Sequence, residues 1–239
     1  MPDGVKRCKP SQEEVNMPGF DKAAATYDRS RHALIPDYDD LYGAAVDALE
    51  LGRVQNPKVL DLGAGTGGFS QEVINAHPGC QVELSDLSVP MLEQARARFG
   101  TDPRFSFREL DIVTGEFGAG WDRIISSFVI HHLPHQAKRE VFANVCAALK
   151  PGGIFVNIDQ VQACSQAVQD IHMRLWRKDA LAAGALEQDL ADGVARMEAM
   201  DINADLDDQV LWLQRAGFDQ VDVVYRNYFW AVFVARKAP

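Results

Sequence analysis

The stretch Val59-Leu60-Asp61-Leu62-Gly63-Ala64-Gly65-Thr66-Gly67-Gly68-Phe69-Ser70 decides how the rest of the chain is read. It begins as a short apolar strand and ends as the start of a helix, with Gly63, Gly65 and Gly68 between. A G-x-G-x-x-G at such a junction usually seats a dinucleotide's pyrophosphate on the helix N-terminus. Asp61 argues against that ligand, because a carboxylate at the end of the strand would repel anionic oxygens. It suits a ligand with a positive group, such as the ammonium of an amino acid. The backbone of Gly63, Ala64 and Gly65 then offers the close approach that glycines permit.

Outward from this loop, strand-like and helix-like segments alternate: strands over 58–62, 81–85, 104–110, 123–129 and 154–159, helices over 67–77, 89–98 and 135–149. That alternation predicts a parallel sheet covered by helices on both faces. Before it, residues 20–52 read as a helical cap broken at Pro36. After it, residues 163–216 read as a helical insertion, closed by Gly217 as the residue past a helix end. Strands over 220–226 and 228–235 follow as a hairpin. Residues 20–239 are expected to form a single α/β domain behind a polar, flexible tail over 1–19.

Composition limits the function classes. The chain has 239 residues and a formal net charge of -10, which argues against nucleic acid or an anionic membrane as partner. No apolar run approaches the roughly 20 residues that span a bilayer, and the N-terminus has no signal-peptide core. Cys8, Cys80, Cys146 and Cys164 show no paired or metal-binding spacing, so reduced thiols in a cytoplasmic protein are expected. His32, His77, His135 and His172 are scattered, and no metal is expected.

In an open parallel sheet, ligands bind outside the carboxyl ends of the strands. The acids there define a nucleoside site. Asp86 ends the second strand, where a carboxylate can accept both ribose hydroxyls. Leu87 and Met91 can wall an adenine. Asp111 can accept from the adenine amino group, and Ile112 can add a backbone N–H and an apolar face.

The successive segments "VLDLGAGTGG", "SDLSVPMLEQA", "LDI", "WDRIISSFVIHHL" and "LKPGGIF" resemble the ordered motifs of class I S-adenosylmethionine-dependent methyltransferases. The resemblance covers Lys58 to Asp159. It implies a Rossmann-like, seven-stranded, mostly parallel sheet with an antiparallel last strand, the helical insertion serving as a lid. It implies S-adenosyl-L-methionine as cofactor. The flanking "FDKAAATYDRSRHALIPDYDDLY" and "LDDQVLWLQRAGFDQV" are similar to a small-molecule branch that includes the carboxy-S-adenosylmethionine synthases. That likeness implies cofactor contacts for Tyr38 and for Ser127, where the synthases have asparagine, and a carboxylate grip for Arg196.

Other candidates have competing readings. His131 and His132 follow the fourth strand beside the reaction site. His132 is the candidate general base, although "HHL" recurs in the family as a structural turn. Tyr27 and Arg31 lie over the methionine end of the cofactor or on an amphipathic helix face. Trp176, Tyr225 and Tyr228 line the substrate pocket or pack in the core. The acidic run Asp201–Asp208 reads as a solvated helix start.

The leading expectation is in-line methyl transfer to a small-molecule acceptor, by an enzyme that could dimerise through the insertion. A carboxy-S-adenosylmethionine synthase using prephenate is the alternative within the family. A non-catalytic nucleoside-binding protein is the alternative outside it.

Overall fold

The computed structural model describes residues 32–239. Tyr27, Arg31, the tail over 1–19 and the start of the helical cap lie outside the described residues. Seven strands make one sheet: β1 (Lys58–Leu62), β2 (Gln81–Asp86), β3 (Phe105–Glu109), β4 (Trp121–Ser127), β5 (Leu149–Gln160), β6 (Phe218–Asn227) and β7 (Trp230–Lys237). Their spatial order is β3-β2-β1-β4-β5-β7-β6. Neighbours from β3 to β5 pair parallel, and β7 runs antiparallel between β5 and β6. Strand order reverses between β1 and β4, so the loops leaving these two strands bound the crevice where such sheets bind ligands.

The helices are α1 (Tyr38–Ala48), α2 (Gly68–Ala76), α3 (Val89–Phe99), α4 (His135–Ala148), α5 (Gln166–Ala182), α6 (Glu187–Met200) and α7 (Leu206–Arg215). Local chemistry sets several of their ends. Ser88 accepts from the Met91 N–H to cap α3, with Pro90 in the first turn. Ser165 accepts from the Val168 N–H to cap α5. Beyond α7, Gly217 takes φ +106, a left-handed turn that glycine adopts without steric cost.

The central strands read as continuous apolar runs because both their faces are buried. Val59, Leu84, Val156 and Ile158 pack in one layer with Leu41, Phe69, Leu92 and Trp176 from the helices on that side. Leu60, Leu62, Ile124 and Phe155 pack in the other with Phe142, Val145, Trp212 and Leu213. Among the described residues, no helix is long and apolar enough to cross a membrane.

Several boundaries differ from the sequence expectation by a residue or more, and three of them have a clear local reason. Strand β5 begins at Leu149, because Leu149 pairs with Trp121 and draws the Lys150–Gly153 helix stop into the strand. Strand β4 ends at Ser127, because Phe128 takes φ 56 and a 3-10 turn follows over Ile130–His132. The final hairpin turns at Tyr228 and Phe229 rather than at Asn227, with Tyr228 at φ 52.

Candidate functional site

Asp61 lies at the carboxyl end of β1 and is fully buried. Ser70 Oγ, from the first turn of α2, donates to Asp61 Oδ2 at 2.6 Å. Ser85 Oγ on β2 donates to the Asp61 carbonyl at 2.8 Å. These bonds fix the acid at the base of the glycine loop. The loop reverses through left-handed residues, and two of them show different uses. A Cβ on Gly63 (φ +66) would meet Val129 Cγ2 at 2.5 Å, so this glycine serves packing against the turn after β4. A Cβ on Gly65 (φ +56) would meet nothing within 4 Å. That open space beside the half-buried Gly65 backbone is a cradle a ligand can enter.

Asp86 closes the other side. Its Oδ2 accepts from the Gly65 N–H and its Oδ1 from the Ser88 N–H, both at 2.8 Å. Desolvation pushes its pKa up, opposed by the N–H bonds of Ser88, Gly65 and Leu87. A carboxylate held short of full ionic comfort gains from further hydroxyl donors. Beyond it Leu87 is 52% exposed while Met91 is buried at 3%, so an adenine could reach only the former without rearrangement. Asp111 caps the turn after β3: Oδ1 accepts from the Val113 N–H and Oδ2 from Thr114 Oγ1, both at 2.8 Å. Ile112 is buried in the core on that side.

Tyr38 opens α1 and packs at a tilt against His32 and Tyr42, at centroid distances of 4.0 and 4.3 Å. Tyr42 in turn meets Phe69 edge-on at 5.4 Å. This aromatic ladder ties the N-terminal segment to the helix that follows the glycine loop. Ser127 is half-buried at the end of β4. The structure thus gathers Asp61, Gly63, Ala64, Gly65 and Asp86 into one crevice, with Tyr38 joined to it through the ladder.

The other expected residues are more dispersed. Trp176 is 2% exposed and packs in the core. Its Nε1 donates to the Leu34 carbonyl at 2.7 Å, and its ring meets Phe229 at 5.7 Å. It anchors α5 to the N-terminal segment and the hairpin. Tyr228 OH donates to Asp179 Oδ2 at 2.5 Å. That carboxylate bond pushes its pKa up to about 12. Tyr225 is half-buried, its pKa raised chiefly by desolvation. Arg196 is exposed on α6.

His132 is not a lone base. Its Nδ1 lies 3.1 Å from Asp201 Oδ1, and its neighbour His131 places Nδ1 2.5 Å from Asp159 Oδ1. Asp201 therefore departs from the solvated role expected of its acidic run, its side chain being 4% exposed. Lys138 underpins the same turn. It is 1% exposed, and Nζ donates to the carbonyls of Ile130, His131 and Leu133 at 2.7, 3.0 and 2.6 Å. Burial pulls its pKa down to about 8, against the attraction of Asp159 and Asp201. Asp159 and Lys138 are not singled out by the sequence, and Asp201 reads there only as the start of a solvated acidic run. An acid closing the apolar run of β5 was the one legible signal.

A cleft of about 230 Å³, lined among others by Leu51, Pro57, His77 and Cys80, opens at the opposite, amino-terminal ends of β1 and β2. It is separate from this crevice.

Comparison with known proteins bears on the same region. Residues 60–155 match the methyltransferase domain family. The carboxy-S-adenosyl-L-methionine synthase of Nautilia profundicola is 22% identical, over 91% of this chain and 93% of that protein. Malonyl-[acyl-carrier protein] O-methyltransferase 2 of Ilyobacter polytropus is 30% identical, over 61% of this chain and 53% of that protein. The solved structure of Haemonchus contortus phosphoethanolamine N-methyltransferase 2 with S-adenosyl-L-methionine superposes with a TM-score of 0.67 at 18% identity. That match covers 92% of this chain and 57% of the other. The chain therefore spans nearly all of the synthase, but little more than half of the other two proteins. With the buried acid, the open glycine cradle and the sheet order, these matches lead to one conclusion: the chain carries a class I S-adenosylmethionine-dependent methyltransferase domain and resembles the carboxy-S-adenosylmethionine synthases.

Proposed function

We propose that this protein methylates a small-molecule acceptor and holds S-adenosylmethionine in the crevice between the β1 and β2 loops. The observation that carries the reading is Asp61, buried behind a glycine loop whose Gly65 is open to a ligand. When bound, the cofactor supplies an electrophilic methyl group on a cationic sulfur. Asp61 orients the amino-acid end by accepting from its ammonium. Asp86 accepts from the ribose hydroxyls, and Asp111 with Ile112 closes around the base. Tyr38 and Ser127 flank the amino-acid end. The chain's contribution to rate is then chiefly positioning of two reactants and exclusion of water. A base is needed only where the acceptor carries a proton of high pKa.

Isothermal titration with S-adenosylhomocysteine and with NAD tests the reading. Micromolar binding of the first and none of the second is expected. NAD binding, or no binding of either, would reject it.

A second reading is favoured by one observation, the near end-to-end match to the Nautilia profundicola synthase. Under it prephenate would give up its carboxyl group to the cofactor's methyl carbon, and Arg196 would face the new carboxylate. The exposed position of Arg196 on α6 gives that role little support. Mass spectrometry of the ligand that copurifies with the protein separates the two. A carboxylated cofactor selects the synthase; plain S-adenosylmethionine or S-adenosylhomocysteine selects methyl transfer.

A further inference from the structure

The turn after β4, whose Val129 packs against Gly63, holds a second polar cluster beside the cofactor crevice. His131 Nε2 lies 3.5 Å from Asp201 Oδ1, and His132 Nδ1 lies 3.1 Å from the same oxygen. The three ligand-type atoms all fall within 4.8 Å of one another. The side chains of His131 and Asp201 are each 4% exposed and that of His132 is 15% exposed, so the cluster is built into the fold.

We propose that His131, His132 and Asp201 bind one divalent transition-metal ion of zinc-like preference, fastening the segment after α6 to the turn after β4. Three lines of geometry and one of charge lead there. First, tetrahedral zinc with ligands at 2.0–2.2 Å has ligand-to-ligand edges of about 3.4 Å. The 3.5 and 3.1 Å separations sit close to that edge.

Second, the His131 ring is already oriented for the task. Asp159, fully buried, takes its Nδ1 proton at 2.5 Å and is itself braced by Asn157 Nδ2 at 3.3 Å and the Gln160 N–H at 3.0 Å. A carboxylate behind a histidine fixes the tautomer that leaves Nε2 to a metal, the outer-shell arrangement typical of such ligands. That lone pair then points towards another acceptor, the Asp201 carboxylate. Gln160 Nε2 bridges the two, 3.3 Å from His131 Nε2 and 3.0 Å from Asp201 Oδ2. A cation between them would keep the bond to Oδ2 and replace the longer contact.

Third, the backbone holds the ligands in place. Ile202, next to Asp201, donates its N–H to the His131 carbonyl at 2.9 Å, and Lys138 grips the turn from beneath. Fourth, two buried carboxylates, Asp159 and Asp201, face one buried ammonium, Lys138. Buried charge without compensation is costly, so the pocket favours an added cation. A proton on the imidazoles would supply the same compensation, and the experiment must separate these two.

The test uses the full chain, untagged and freed of metal with a chelator. Cobalt(II) is titrated near neutral pH and followed by visible absorption, and zinc(II) is titrated by calorimetry. One equivalent of cobalt should give the intense bands of a four- or five-coordinate site, and zinc should erase them. His132→Gln and Asp201→Asn should each weaken zinc binding by about tenfold or more. Asp159→Asn, which replaces no ligand, should weaken it by about 10–100-fold. His77→Gln, far from the cluster, should leave it unchanged. Binding of S-adenosylhomocysteine by the same variants reports that they are folded, so failure of this site and failure of the methyltransferase reading are distinguishable. No saturable metal binding by the wild type would overturn the proposal and leave the proton as the compensating charge. Unchanged zinc affinity in the folded His132 and Asp201 variants would overturn it equally.

Discussion

The loops leaving β1 and β4 start on neighbouring strands and solve opposite problems. After β1 the chain uses small residues and left-handed turns, and it leaves backbone open at Gly65. After β4 it uses bulky polar residues bonded to their neighbours: Lys138 donates to three carbonyls, and His131 and His132 are paired with Asp159 and Asp201. The first loop leaves room beside its own backbone, whereas the second is filled by contacts among its own and neighbouring side chains. Adjacent positions at a switch point can thus divide the work between receiving a ligand and stiffening the wall beside it.

The most direct way to break this contrast is to remove the support of the second loop. Lys138→Met deletes the donor to three carbonyls while keeping the side chain's apolar length. Unpaired buried acceptors cost about 1–3 kcal/mol each. Relief of the buried charge offsets part of this. A net loss of about 2–4 kcal/mol in denaturant unfolding is expected; an unchanged midpoint would show that the turn stands without it. The pH dependence gives a second readout. The folded-state pKa, about 8, lies below the ordinary 10.5. Above pH 8 the folded chain sheds a proton that the unfolded chain still holds. Stability therefore rises with pH between these values. The wild type should gain relative to the methionine variant across that window, and a constant difference would refute the buried charge.

Gly63→Ala probes the place where the loops touch. The new Cβ would come within 2.5 Å of Val129 Cγ2, at a φ of +66. Left-handed strain of about 1–2 kcal/mol and overpacking of about 1–3 kcal/mol should add. Val129→Ala in the same chain should restore the overpacking share but not the strain. If it restores nothing, the loops are not in mechanical contact.

How much of this was readable follows the same division. Asp61, the glycines, Asp86 and the order of β1 to β5 are local patterns, each carried by residues adjacent in sequence. The cluster around His131 is not. Asp159 closes an apolar strand, and Asp201 stands in an acidic run that resembles any solvated cap. Only the packing of the segment after α6 on the β4 turn brings these groups together, through Ile202 and the His131 carbonyl. Trp176 failed to be legible for a related reason. An aromatic on a helix gives its period but not its partner, and here the partner is the carbonyl of Leu34, far back in the chain.

Asp86→Ala sharpens the ligand-receiving half. The variant loses a partly buried acceptor that bonds the Gly65 and Ser88 N–H groups. S-adenosylhomocysteine affinity should fall by about 1–3 kcal/mol, measured by titration calorimetry. Because desolvation raises its pKa, the wild type should lose affinity on acidification sooner than an ordinary aspartate would dictate. Cofactor binding that is indifferent to both changes would remove Asp86 from the site.

Tyr228→Phe is the smallest change and the one that decides where α5 belongs. The hydroxyl bond to Asp179 ties α5 to a hairpin residue held at positive φ. The pair is partly exposed, so its loss should cost about 0.5–1.5 kcal/mol. For a domain of this size that is a fall of about 2–4 °C in Tm per kcal/mol. If α5 only stiffens the molecule, as the core position of Trp176 argues, cofactor affinity stays at the wild-type level while Tm drops. If affinity falls as far as in Asp86→Ala, α5 is part of the ligand-receiving half. The division between an open loop after β1 and a closed wall after β4 would then have to be redrawn to include the helices.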